Sequence, residues 1–185
     1  MNFHILFAQG ESKVEQDTLA SNLETSDNFP DLINSIKNAQ QYLMSLEVDD
    51  IINWLDQICL TWSDRNSEVQ RKYSNQGINF LIYWFRKKNL KEISDLALRG
   101  NRHFLDGFHK VENTNVKLSA QPRGVVSHWI SGNVPMLGML SLIQGIITKN
   151  ANLVKLPKDN LDIVPSLLAS MSKVNIMSKS GDMIE

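Results

Sequence analysis

Residues 124–135, GVVSHWISGNVP, decide the fold of this chain. Within them, residues 125–130 have the β-branched and aromatic composition of a strand, and residues 131–135 are typical of a turn. An apolar helix is predicted next, over residues 136–148, and a short strand, residues 153–156, follows it. A strand, a helix and a second strand at this spacing indicate a right-handed β-α-β unit in a parallel sheet.

The segments on either side of this unit indicate how many further strands the sequence contains. Alternation predicts a strand at residues 116–118, and a last helix is expected over residues 161–171, capped by Asp159 or Asn160. The polar tail, residues 177–185, contains no convincing element to close the sheet. Because a doubly wound sheet normally has more strands, we expect the sequence to be truncated or to be the N-terminal portion of the functional protein.

Helical patterns fill the first half of the chain, where apolar residues recur at steps of three and four. The predicted helices cover residues 30–46, 51–62, 67–87 and 90–108. Gly100 is expected to fray the middle of the last helix. Ahead of the helices, residues 5–8 are typical of a short buried strand and residues 11–28 of a polar loop.

The predicted fold class is therefore α/β, with a change of pattern at about Thr114. Residues 1–113 are predicted to form a mainly helical N-terminal region. Residues 114–185 are predicted to form the first β-α-β part of a nucleotide-binding domain.

The composition excludes several classes of protein. The 185 residues are 42% hydrophobic and 21% charged, which is an ordinary globular mixture. A net charge of −1 gives no overall positive field to attract nucleic acid. The most apolar stretch, residues 134–147, is too short to span a bilayer. A single cysteine and the lack of a basic leader make the cytoplasm the default expectation.

The cysteine and histidines give little sign of a reactive site. Cys59 follows Leu55 by four residues on an apolar helical stripe, so we expect a core cysteine rather than a thiolate nucleophile. The four histidines do not pair at the spacing that would direct two of them at one metal, so no metal site is predicted. His128 lies within the strand at 125–130; a satisfied, partly buried histidine is favoured over a group near a substrate.

The glycines of the apolar helix also have a simple interpretation. Gly138 and Gly145 are not part of a G-x-G-x-x-G sequence after a strand, so the usual dinucleotide fingerprint is absent. They are expected to allow close packing of the helix on the sheet. Ser127 and Ser131 lack the Gly-x-Ser-x-Gly context of a serine hydrolase.

Asn133 is the most informative single residue. It lies between a strand and the N-terminus of the apolar helix, where unpaired N–H groups and the positive end of the helix dipole meet. Its amide could donate to a developing oxyanion. It could equally be the helix N-cap, with Pro135 in the first turn. The local sequence leaves both interpretations open.

Lys155 is a lysine inside an apolar strand, which is unfavourable unless its ammonium reaches water or an anion. At the carboxyl end of a parallel strand it would face the crevice where nucleotides bind. The alternative is a lysine at the sheet edge that extends into solvent. Lys158, three residues later, would lie beside the same crevice and favour a ribose phosphate.

These segments together resemble a known family. Residues 124–135, followed by Leu142-Ile143 and by residues 152–157, resemble the LuxC-type long-chain acyl-CoA reductases, a divergent branch of the aldehyde dehydrogenase superfamily. Residues 102–108, RHFLDGF, also resemble this family. The resemblance implies that residues 114–185 begin a Rossmann-like parallel sheet of the aldehyde dehydrogenase type.

The resemblance further implies NADPH-dependent reduction of a fatty acyl-CoA, or another activated acyl group such as an acyl-protein, to an aldehyde. By this match Asn133 donates to the thioester oxyanion and Lys155 holds the adenosine ribose of the cofactor. Many NAD-using relatives carry a glutamate where Lys158 stands. A cation there favours a ribose phosphate, which makes NADP the expected cofactor. Self-association is expected by analogy alone.

One departure from the family affects the expected activity. The family's nucleophilic cysteine lies downstream of the lysine strand, and this sequence ends before it. Cys59 cannot replace it, so the 185 residues are expected to be inactive alone. Two other functions compete with an enzyme fragment: a non-catalytic helical interaction or scaffold protein, and a simple nucleotide-binding module. Asn133 and Lys155 favour the enzyme.

Overall fold

A computed structural model describes residues 29–156 and 162–184 of the chain. The strand predicted at residues 5–8 and the loop at residues 11–28 lie outside these residues, as do the predicted caps Asp159 and Asn160.

Within the described ranges the chain is a mixed α/β protein with seven α-helices and three small sheets. The helices are α1 (Phe29–Ser45), α2 (Val48–Ser63), α3 (Glu68–Tyr73), α4 (Ile78–Trp84), α5 (Lys87–Ala97), α6 (Pro135–Ile147) and α7 (Ile163–Met171). The strands are β1 (His109–Lys110), β2 (Lys117–Leu118), β3 (Val125–Trp129), β4 (Ala151–Lys155), β5 (Ile176–Met177) and β6 (Met183–Ile184). None of the helices in these ranges is both long and apolar enough to cross a membrane.

The predicted parallel β-α-β unit is confirmed. β3 and β4 pair in parallel, with Val125 opposite Ala151 and Trp129 opposite Lys155, and α6 connects them. The glycines of α6 allow the expected close approach. A Cβ atom added at Gly138 would overlap the side chain of Ile130, and one added at Gly145 would overlap the side-chain amide of Asn152.

The third predicted helix, residues 67–87, is wrong as a single element. It is divided into α3 and α4 by a 3-10 turn and by Gly77, whose φ is +92°. An α-helix cannot continue through a residue in the left-handed region, and glycine adopts that region without steric cost.

The fourth predicted helix, residues 90–108, also ends early. Arg99 and Gly100 have φ values of +55° and +87°, so α5 stops at Ala97 and a 3-10 helix, Arg102–Leu105, follows. Gly100 therefore terminates the element instead of fraying it.

The short strands differ from the prediction in their pairing. The strand expected at residues 116–118 exists as β2, but it forms an antiparallel hairpin with β1. The tail, predicted to lack a closing element, contains β6, which pairs antiparallel with β5. Ile184 of β6 is fully buried in the core, so this apolar residue anchors an otherwise polar segment.

The hydrophobic core includes residues from both predicted regions, with α2 packed against α4, α5 and α6. Two buried indoles extend from α2 toward the end of the chain. Trp54 Nε1 donates to the carbonyl oxygen of Val174 at 2.7 Å, and Trp62 Nε1 donates to Ser170 Oγ at 2.8 Å. The boundary between residues 113 and 114 remains a prediction from sequence pattern.

Asp106 joins the start of α2 to the end of α6. Its Oδ1 accepts from the backbone N–H of Val48 at 2.8 Å and from Lys149 Nζ at 2.9 Å, and its Oδ2 lies 3.0 Å from His103 Nδ1. Lys149 is 3% exposed. The RHFLDGF segment therefore holds together helices that are distant in sequence.

Asp49 forms a second charged junction beside the first. Arg102 Nε donates to its Oδ1 at 2.7 Å and Lys91 Nζ to its Oδ2 at 3.0 Å. Burial alone would raise the pKa of Asp49, but these hydrogen bonds and charges outweigh burial and hold the pKa well below its usual range.

Candidate functional site

The candidate site lies along β3 and the turn after it, where α6 begins. In open α/β sheets, ligands bind in the crevice beyond the carboxyl ends of the strands. An open cleft of about 530 Å³ lies here. It is bordered by β3 from Val126 onward, by Ser131 and Asn133 of the following turn, and by Leu137 and Ser141 of α6.

Asn133 is an exposed residue at the border of this cleft. The N-cap position of α6 is occupied by Val134, without a side-chain capping bond, so the N-cap interpretation of Asn133 is wrong. Instead, Ser131 Oγ donates a hydrogen bond to Asn133 Oδ1. This bond engages the amide oxygen and leaves the amino group as the donor available to a ligand.

Apolar groups form the other border of the cleft. Val134, which directly precedes α6, is 42% exposed, and Leu137, in the first turn of α6, is 53% exposed. The positive end of the α6 dipole is at the same place. The cleft therefore combines hydrogen-bond donors with exposed apolar surface.

Lys155 ends β4 with its side chain exposed, at the same end of the strand pair as Asn133. Its Nζ lies 5.2 Å from the ring centroid of Trp129, which is the residue directly opposite it in the register and borders the cleft. The ammonium is thus exposed next to a side chain that borders the cleft. Lys158 lies outside the described residues, and its role stays a prediction.

His128 is buried beneath the cleft and its hydrogen bonds are satisfied, as expected. Its Nδ1 lies 2.8 Å from Ser141 Oγ and its Nε2 2.9 Å from Asn152 Oδ1. Asn152 uses its amino group to donate to the carbonyl oxygen of Asn150 at 2.9 Å. Its oxygen must then accept from the ring, so Nε2 of His128 is the donor in this contact.

Cys59 is not part of the candidate site. Its side chain is fully buried in the core, which confirms the sequence interpretation. Burial, with a smaller contribution from the charge of Asp56, raises the pKa of the thiol to about 12. A thiol of this kind is not a nucleophile near neutral pH.

Three partners of the site residues were not recognised in the sequence. Ser131 orients Asn133, Trp129 contacts Lys155, and Asn152 holds His128. Ser131 lies only two residues from Asn133, and this spacing is a signal for a side-chain hydrogen bond within a turn. The other two pairs depend on the register of β3 against β4, which one strand alone does not reveal.

The fold and the site together define a mixed α/β protein with an open, partly apolar cleft at the carboxyl ends of a parallel strand pair. Comparison with known proteins gives the family. The model of the family described as acyl-CoA reductase (LuxC) matches residues 22–184, and the chain belongs to this family. The resemblance found in the sequence is thereby confirmed.

Several curated relatives share this similarity. The long-chain acyl-protein thioester reductase of Photorhabdus laumondii subsp. laumondii is 27% identical, over 82% of this chain and 35% of that protein. The reductases of the same name from Photobacterium phosphoreum and Aliivibrio fischeri are 29% and 28% identical, over 68% and 71% of this chain and 28% and 30% of their own lengths. The chain thus spans about a third of the length of the curated relatives it matches.

Proposed function

We propose that this chain is the N-terminal part of a reductase that converts a fatty acyl thioester, either acyl-CoA or acyl-protein, to an aldehyde with NADPH. The observation that carries the proposal is the placement of Asn133 and Lys155. Both are exposed; Asn133 borders the cleft in the turn after β3, and Lys155 ends the adjacent parallel strand with its Nζ 5.2 Å from the ring centroid of Trp129, which also borders the cleft. Family membership and the names of the relatives support the acyl thioester as substrate class.

The proposal assigns β3, α6 and β4 to a Rossmann-like parallel sheet of the aldehyde dehydrogenase type. Lys155 is suited to hold the ribose hydroxyls of a dinucleotide because its ammonium is exposed beside the cleft. Lys158 would favour the ribose phosphate of NADP, since a cation attracts that group. When bound, NADPH supplies the hydride that the reduction requires.

Asn133 acts on the acyl carbonyl group in this proposal. Negative charge develops on the carbonyl oxygen as the acyl carbon becomes tetrahedral, and the amino group of Asn133 donates a hydrogen bond to that oxygen. Ser131 keeps the amide oriented because its hydroxyl occupies Asn133 Oδ1. Cys59 is excluded as the acyl acceptor by its burial.

The test uses the full-length protein with a long-chain acyl-CoA and, separately, an acylated protein thioester. We expect oxidation of NADPH that depends on the acyl thioester and yields an aldehyde in equal amount. Asn133→Ala should lower kcat by about 10²–10³, the usual loss for one oxyanion donor. Asn75→Ala, at an exposed asparagine in the 3-10 turn before α4, is the matched control and should not change kcat.

Two further measurements separate the parts of this proposal. Lys155→Ala should raise the KM for NADPH more than it lowers kcat, and NADPH should be preferred to NADH. If Asn133→Ala and Lys155→Ala both leave the biological role intact and no acyl-dependent turnover occurs, the non-catalytic interaction protein replaces the reductase.

A further inference from the structure

We propose that Trp129 is a positioning residue, which holds the Lys155 ammonium beside the cleft so that it is ready to bind the cofactor ribose. This inference rests on the proposed function, in which Lys155 contacts the dinucleotide. It adds a residue whose role is to orient that contact without touching the reacting atoms.

The first support is the strand register. Trp129 and Lys155 are opposite each other in the parallel pair, so their side chains extend from the same face of the sheet. Lys155 Nζ lies 5.2 Å from the centroid of the indole ring, within the range of about 6 Å for a cation–π interaction.

The second support is the exposure of the indole. Trp129 is 78% exposed, although it ends a strand whose preceding residue, His128, is 5% exposed. Core packing therefore does not explain a tryptophan at this position. A contact with a neighbouring side chain or with a ligand does.

The third support is the arrangement around the pair. Trp129 Nε1 donates to Ser127 Oγ at 3.2 Å, which fixes the indole edge against its own strand. Within residues 29–156 and 162–184, no ion pair includes Lys155. Within these ranges, the indole ring is thus the group that the ammonium contacts.

An aromatic ring is better suited than a carboxylate to order the Lys155 ammonium before the cofactor binds. Lysine has a flexible four-carbon stem, and ordering it on binding costs conformational entropy. A carboxylate would order the ammonium but would place a negative charge beside the phosphates of the dinucleotide. The indole restricts the ammonium without adding that charge.

The test is a double-mutant cycle in the full-length protein, with the dissociation constant and KM of NADPH as readouts. Trp129→Leu should weaken NADPH binding about two- to fivefold, which corresponds to an exposed cation–π contact, and should leave kcat within about twofold. In a Lys155→Met background, Trp129→Leu should have no further effect. Trp129→Phe should retain part of the binding, and Trp84→Leu, on α4, should retain all of it.

A readout without cofactor checks the contact itself. The ε-methylene protons of Lys155 should show an upfield ring-current shift in the NMR spectrum that disappears in Trp129→Leu. If this shift is absent from the parent protein, or if the two substitutions weaken NADPH binding additively, Trp129 does not position Lys155. If Lys155→Met leaves NADPH binding unchanged while the ring-current shift is present, the cofactor role of Lys155 in the proposed function fails instead.

Discussion

Gly145→Ala is predicted to destabilise the protein, although glycine is the less favourable residue in a helix. Gly145 lies inside α6 and faces Asn152 of β4. An added Cβ would overlap Asn152 Oδ1 and would lie only 3.0 Å from Cγ and 3.4 Å from Nδ2. The side-chain amide would have to move away from the helix.

The magnitude follows from the hydrogen bonds that the amide makes. Moving it breaks the contact with His128 Nε2 and the bond to the carbonyl oxygen of Asn150, both 2.9 Å long. A buried polar group left without a partner costs about 1–3 kcal/mol, and His128 is buried. The gain from replacing glycine by alanine in a helix is about 1 kcal/mol. We therefore expect a net loss of up to about 2 kcal/mol.

Urea unfolding followed by circular dichroism measures this loss, and the thermal midpoint should fall by up to about 8 °C. In an Asn152→Ala background the overlap is gone, so Gly145→Ala should become stabilising by up to about 1 kcal/mol. Gly138→Ala is the matched control, because it overlaps Ile130 instead and should destabilise equally in both backgrounds. An equal loss for Gly145→Ala in both backgrounds would refute the reasoning.

Three other substitutions have distinct expected outcomes. Asp106→Asn should lower the free energy of unfolding by about 3–5 kcal/mol, and Lys149→Met by less, because only the first leaves a buried charge uncompensated; equal losses in urea titrations would contradict this. Because the pKa of Asp49 is lower in the folded than in the unfolded state, its ionised carboxylate stabilises the fold at pH values above the unfolded-state pKa of about 4. This stabilisation is lost as the pH falls toward the folded-state pKa. Asp49→Asn should therefore flatten the acid side of the stability profile, and an unchanged slope would exclude this role. Cys59 should react with a thiol reagent near neutral pH only as fast as the protein unfolds; rapid labelling of the native protein would show that it is accessible.

The β3-α6-β4 unit was predictable because its signals are local. A β-branched strand, a Gly-Asn-Val-Pro turn and an apolar helix follow one another within 124–148. The helical half was less predictable, since its apolar recurrence continues across the break at Gly77. The pairing of β5 with β6 was missed because each strand has only two residues, too few for a periodic pattern.

The residues of the candidate site were also predictable only in part. Asn133 and Lys155 were identified because each has a distinctive local context, a turn before a helix and a charge inside an apolar strand. Contacts between residues of β3 and β4 around the site were missed. Trp129 meets Lys155 only through the parallel register, and His128 meets Asn152 across 24 residues of sequence.

The indole bonds of α2 have a consequence for how this protein is made in the cell. Val174, the acceptor for Trp54, is translated 120 residues after it. At about 5–20 residues per second, the ribosome needs roughly 6–24 s to deliver that partner. During this interval Trp54 and Trp62 lack these partners, and nascent-chain crosslinking should detect chaperones at the two indoles until residues 170–174 emerge from the exit tunnel.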